Sequence, residues 1–118
     1  IDNDDLFRST GHAYIKIARE EPHIFRLYLF QERKNISSLE DLYRTETNPA
    51  IAEMIAKKLN ISLPVARQLH LNMLIYTIGI GTIFSVTSSL ISESEIFRQQ
   101  EQAYRTFLKS ALEDKDNE

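Results

Sequence analysis

The residues able to do acid–base or metal chemistry are spread thinly along this chain. Its three histidines, His12, His23 and His70, are far apart and have no spacing typical of a shared metal ion. Two pairs of adjacent carboxylates, at 20–21 and 40–41, are better explained as solvated helix ends than as catalytic pairs. No serine has the setting of a nucleophile, and Cys is absent. The sequence therefore predicts a protein that is not an enzyme and uses no cofactor or metal.

Binding of a small molecule is the chemistry that remains. Aromatic side chains with polar groups, beside an apolar stretch, are suited to lining a pocket. Filling of the protein core explains the same residues equally well. For the histidine in the apolar stretch, a structural role and a ligand contact both stay open. The candidate ligand-binding residues are Tyr14, Tyr28, His70, Met73 and Tyr76.

Composition favours a single helical domain. The chain has 118 residues, of which 42% are hydrophobic and 26% charged, as in ordinary globular domains. With three Gly and three Pro, it has few residues for the tight turns of an all-β fold. The net charge of −3 and the dispersed basic residues argue against direct DNA binding. The absence of Cys fits a cytoplasmic protein.

One long uncharged segment requires a test for membrane insertion. The segment from Gln68 to Ser92 contains no Asp, Glu, Lys or Arg. It is long enough to span a bilayer. The segment nevertheless contains His70, Asn72 and a Thr-Ser-Ser cluster, and its flanks lack a clear basic asymmetry. We therefore expect a buried helix and no membrane partner.

Capping signals and apolar periodicity divide the chain into five or six helices. Asn48-Pro49 begins one helix, Asn60 can end it in a left-handed turn, and Ser62 can cap the next. Ser37 with Glu40, and Ser92 with Glu95, have capping-box spacing. The second helix is apolar nearly all round, so neighbouring helices should surround it. The predicted helices span about 4–20, 22–32, 39–44, 49–59, 63–90 and 93–112.

The most apolar stretch, "IYTIGIGTIFS" at 75–85, contains two glycines. They lie halfway along a predicted helix, where a phosphate-binding turn is not expected. Each helical Gly costs about 1 kcal/mol relative to Ala, so close approach of another helix should offset the pair. The small residues Thr77, Gly81, Ser85 and Ser89 follow one another at four-residue spacing. Because this helix is apolar on several faces, we expect one face inside the subunit and another against a second subunit.

The order of these elements resembles the C-terminal part of TetR/AcrR-type transcriptional repressors. The corner "AYIKIAREEPHIFRLYLF" resembles that family's helix ending before Glu-Glu-Pro and its aromatic-rich successor. The segments "ARQLHLNMLIYTIGIGTIFSVTSSL" and "SESEIFRQQEQAYRTFLKSAL" resemble its final helix pair. The resemblance extends from about Leu6 to Leu112. It implies that residues 1–118 form one regulatory domain, a five- to six-helix orthogonal bundle, with the family's N-terminal helix-turn-helix domain absent from this chain.

The resemblance also implies two partners. One is a small apolar or amphipathic effector, which alters the DNA affinity of the attached helix-turn-helix domain. The other is a second copy of the chain, with the last two helices of both copies forming a four-helix bundle. The alternative is a helical dimerisation or adaptor module with a filled core and no ligand. The residues expected in the dimer interface are Thr77, Ile80, Gly81, Phe84, Ser85, Ser89, Phe97, Tyr104 and Leu108.

Overall fold

The computed structural model describes residues 3–86 and 90–116, with side-chain surroundings for 11–83 and 90–115. Every regular element in these ranges is an α-helix, which confirms the all-α prediction. Helix bounds agree with the predicted ones most closely at the starts. The helices are α1 Asn3–Glu20, α2 Pro22–Leu29, α3 Leu39–Glu46, α4 Pro49–Leu59, α5 Leu63–Val86 and α6 Glu93–Asp116.

The caps around α4 follow the sequence signals. The Asn48 side chain accepts a hydrogen bond from the backbone N–H of Ala50 at 3.0 Å, which satisfies one of the helix's initial donors. Asn60 ends the helix in the left-handed conformation, with φ of 52°. Ser62 then accepts from the backbone N–H of Val65 at 3.3 Å and begins α5. These contacts confirm the three predictions. Each involves groups within one turn of the chain, so neighbouring residues were enough to indicate it.

Helix α2 ends at Leu29, three residues earlier than predicted. Beyond it, the guanidinium of Arg33 folds back onto the end of the helix. It donates to the backbone carbonyl of Leu29 and to that of Tyr28, both at 3.3 Å. Carbonyls at a helix C-terminus lack helical partners, so a cation there stabilises the termination.

The remaining differences concern α3, α5 and α6. Ser38, not Ser37, caps α3, by accepting from the backbone N–H of Asp41 at 3.0 Å. The described part of helix α5 runs from Leu63 to Val86, and Leu90, its predicted last residue, lies outside the helix. Helix α6 begins as predicted, with Ser92 as its cap, but continues to Asp116.

Helix α5 lies at the centre, and α1, α2, α4 and α6 pack against it. Two clusters of buried side chains form the core around it. The first consists of Ile15, Ala18, Phe25 and Ile80. The second consists of Ile55, Ile61, Ala66, Leu69 and Ala111.

Helix α2 departs from the expectation that other helices surround it. Its buried residue is Phe25, which is 2% exposed. Ile24 and Leu27 of this helix are exposed, and so is Phe30 directly after its end. An apolar pattern on all faces therefore did not mean burial on all faces. Among the described residues, no helix is long and apolar enough to cross a membrane.

Candidate functional site

The two glycines of α5 have opposite surroundings. A Cβ atom placed on Gly81 would lie 2.6 Å from Cζ of Phe25 and 3.4 Å from Cβ of Ala18. A Cβ on Gly79 would meet no atom of the described residues within 4 Å. The close approach expected from the sequence therefore exists at Gly81, but the neighbours belong to α1 and α2 of the same chain. Gly79 faces outward.

The small residue one turn before Gly81 is likewise used inside the chain. Thr77 is buried, and its hydroxyl accepts a hydrogen bond from the side-chain amide of Gln100 on α6 at 3.1 Å. Gln100 is also buried, and its Oε1 has no hydrogen-bond partner among the residues that the structure describes. A Cβ on Gly11 would lie 2.7 Å from the Gln100 amide nitrogen, so α1 approaches this polar pair closely.

Most of the other residues expected in a dimer interface also have neighbours within the chain. Ile80 belongs to the first core cluster, and Tyr104 is 2% exposed. Phe97 stacks on His12 with ring centroids 4.2 Å apart. Leu108 packs against the second cluster. The homodimer remains a prediction. The side chains of Phe84 and Ser85, and all of Ser89, lie outside the residues whose surroundings are described.

A different face of α5 is open in the single chain. Ile75 and Ile83 are 48% and 51% exposed, and Gly79 lies between them at four-residue spacing. Residues four apart on an α-helix lie on one side, so the three form a continuous strip. We call these three residues the α5 strip. The sequence pattern does not reveal this strip, because apolar residues occur on every side of α5.

Two of the predicted ligand-binding residues, one on α1 and one on α2, lie close together. The rings of Tyr14 and Tyr28 have centroids 6.2 Å apart. The Tyr28 hydroxyl donates to the Glu46 carboxylate at 2.5 Å, and Arg33 also donates to that carboxylate. Burial and the bond to Glu46 raise the pKa of Tyr28. Burial alone would raise the pKa of Glu46, but the bonds from Arg33 and Tyr28 outweigh it and lower that pKa. This network ties the end of α3 to α2.

His70 is buried at the interface between α5 and α3. Its Nδ1 atom lies 2.6 Å from the hydroxyl of Tyr43, and the two rings meet edge to face. Burial lowers the pKa of His70 to about 4, so the imidazole is neutral at pH 7. The pair acts as a second polar tether between α3 and the rest of the chain.

The other two predicted ligand residues lie further along α5. Met73 is buried, and the ring of Tyr76 contacts that of Phe107 on α6 edge-on, with centroids 6.4 Å apart. Tyr14, Tyr28 and Tyr76 thus all pack against the first core cluster, whereas His70 contacts Tyr43 of α3.

A half-open groove of about 520 Å³ lies between α3, the start of α4 and the first turns of α5. Tyr43, Ala52 and Leu71 are buried beneath it. Arg44 and Arg67 are exposed along it. Its volume falls in the range of small-molecule sites, which combine an apolar surface with a few polar groups. The lining residues are Leu39, Glu40, Tyr43, Arg44, Thr47, Pro49, Ala52, Pro64, Arg67, Gln68 and Leu71.

None of the five predicted ligand-binding residues lines this groove, although His70 contacts its Tyr43. The sequence does not indicate the groove, because three separated segments of the chain supply its walls. One local signal was present. Pro49 and Pro64 lie in the first turns of two successive helices, and both line the groove.

Helix α3, which forms one side of the groove, has little buried surface against the rest of the chain. Tyr43 is the one residue of Leu39–Glu46 that is buried. Its tethers are the Tyr43–His70 contact at one point and the bonds of Glu46 to Tyr28 and Arg33 at another. An element with little buried apolar surface is the kind that moves in ligand binding.

Within the described part of the chain, no three His, Asp or Glu side chains are grouped to hold a metal ion. Comparison with known proteins adds no assignment: no protein-family model, no curated protein and no solved structure matches this chain significantly.

Proposed function

We propose that this chain is the effector-sensing and homodimerisation domain of a TetR-like transcriptional regulator. The observation that supports a sensing role is the groove of about 520 Å³, with buried apolar residues beneath it and charged residues along it. An apolar or amphipathic molecule of modest size is the ligand class suited to such a site.

The proposed dimer uses the α5 strip. Ile75 and Ile83 expose about half of their surface, and Gly79 allows another backbone to approach closely. A two-fold axis at this strip would bring the same residues of both chains together. Burial there would remove apolar surface from water, which drives such association.

Helix α5 links the two proposed sites. Arg67 and Leu71 line the groove, and Ile75 follows one turn later. From Arg67 to Ile83 the helix rises about 24 Å, at 1.5 Å per residue. A ligand that binds better to one position of α3 and α5 than to another would shift the dimer between two arrangements. In the regulator, that shift would change the spacing of the attached helix-turn-helix domains and hence their affinity for DNA.

The alternative is a helical dimerisation or adaptor module with no ligand. It is favoured by the contacts that already occupy the residues expected to bind one, such as Tyr76 against Phe107 and Tyr14 beside Tyr28. In that case the groove would be only a surface depression.

A thermal-shift screen of apolar and amphipathic compounds separates the two functions. A ligand that binds only the folded chain raises its melting temperature by mass action. In Gln68→Trp, the indole fills part of the groove and should reduce this rise. Gln99→Trp is the matched control, because Gln99 is exposed on α6 and does not line the groove. Absence of any stabilising compound, or equal responses of the two variants, would favour the adaptor.

Light scattering after size exclusion tests the dimer. Wild type should be a dimer at micromolar concentration, and Ile75→Lys should dissociate it by placing a charge in each half of the interface. Ile24→Lys makes the same change at an exposed position of α2 and should leave the dimer intact. A monomeric wild type, or equal behaviour of the two variants, contradicts the interface.

A further inference from the structure

The charges along the groove are not balanced. Three charged residues line it, namely Glu40, Arg44 and Arg67. Glu40 and Arg44 form an ion pair on one face of α3. Among the described residues, Arg67 makes no ion pair. The groove therefore has one uncompensated positive charge.

Arg67 is placed to reach a ligand lying in the groove. It belongs to the first turns of α5 and lines the groove together with Tyr43. Burial raises the pKa of the Tyr43 phenol, while the bond with Thr47 and the positive charge of Arg67 oppose that rise. A guanidinium binds a carboxylate through two parallel hydrogen bonds, a geometry that fits one anionic head group.

The groove also offers apolar surface. Tyr43, Ala52 and Leu71 present buried or nearly buried side chains, and Pro49 and Pro64 add ring surface. Leu39 at the edge is 58% exposed, an apolar side chain that a ligand's hydrocarbon part would cover. A ligand that matches both features of the groove has an apolar body and one negative charge.

We propose that the groove binds an amphipathic monocarboxylate, with its hydrocarbon body on Tyr43, Ala52 and Leu71 and its carboxylate at Arg67. This inference rests on the proposed effector site and specifies the chemical class that the site accepts. A cationic amphiphile would place its charge beside Arg67 and be repelled, and a neutral one would gain only the apolar contact.

Isothermal titration calorimetry with decanoate, decylamine and 1-decanol, each below its aggregation or solubility limit, tests the proposal on this chain. The three probes share one hydrocarbon body and differ in head-group charge. Decanoate should bind at least about tenfold more tightly than the other two, since hydrogen bonds to charged groups are the strong ones. Arg67→Gln should remove that advantage and leave the affinity for 1-decanol unchanged. Arg98→Gln, at an exposed position of α6, should retain it.

Three other results would contradict the proposed carboxylate binding. If decylamine or 1-decanol binds as tightly as decanoate, or if Arg67→Gln and Arg98→Gln respond alike, the carboxylate assignment is wrong. Failure of all three probes also overturns it. The proposed effector site has its own test. It is contradicted if no compound of any class stabilises wild type more than it stabilises Gln68→Trp.

Discussion

Replacing each α5 glycine by alanine should change stability in opposite directions. The two residues are separated by one position in the same helix, and the chemical change is identical. Alanine at Gly79 would place its methyl group where no atom of the described residues lies within 4 Å. Alanine at Gly81 would place it 2.6 Å from Cζ and 3.0 Å from Cε1 of Phe25.

The magnitudes follow from two competing effects. Alanine is favoured over glycine inside a helix by about 1 kcal/mol, and both variants gain this. At Gly81 the new methyl group also overpacks the core, where an added carbon typically costs about 1–3 kcal/mol. Phe25 is 2% exposed and has little room to retreat. We therefore expect Gly79→Ala to raise the free energy of unfolding by about 1 kcal/mol, and Gly81→Ala to lower it by up to about 2 kcal/mol.

Urea unfolding followed by circular dichroism measures both values, provided that the variants share one slope against denaturant. Comparison at low protein concentration keeps any contribution from dissociation of the proposed dimer small. Phe25→Leu in the Gly81→Ala background should recover part of the loss, because the two residues are in contact and their effects are not additive. Equal stabilisation by the two alanines would refute the packing described at Gly81.

Two further predictions follow from His70 and from the charge of the chain. Because burial lowers the pKa of His70 from 6.5 to about 4, the unfolded chain binds more protons between these values. The free energy of unfolding should therefore fall by on the order of 3 kcal/mol as the pH falls through this window. His70→Gln should flatten that part of the profile, and an unchanged profile would contradict the assignment. In fluorescence anisotropy at physiological salt, the acidic chain alone should show no saturable, sequence-dependent binding to duplex DNA; submicromolar specific binding would contradict the proposed function.

Local features of the fold could be predicted from the sequence. Asn48, Asn60 and Ser62 act on backbone groups within one turn, so their roles are visible from neighbouring residues alone. The end of α2 could not be predicted in this way, because Arg33 returns to it from outside the helix.

The candidate site was less predictable because it depends on which helix faces meet. Helix α5 is apolar on all sides, so its sequence pattern could not distinguish Gly81, inside the core, from Gly79, on the α5 strip. The groove is formed by α3, α4 and α5 together, and Arg67 acquires its role only from their packing. The homodimer and its interface remain predictions.

The central claim is that a bound effector changes the arrangement of the two subunits. The distance between the subunits with and without ligand tests it most directly. The chain has no Cys, so Lys16→Cys, at an exposed position of α1, gives one spin label per subunit. Double electron–electron resonance should show one inter-subunit distance distribution, which shifts when the tightest compound from the thermal-shift screen is added. Gln68→Trp should show the same initial distribution and a smaller shift. No dipolar signal, or an unchanged distribution at saturating ligand, would contradict an effector-sensing dimer.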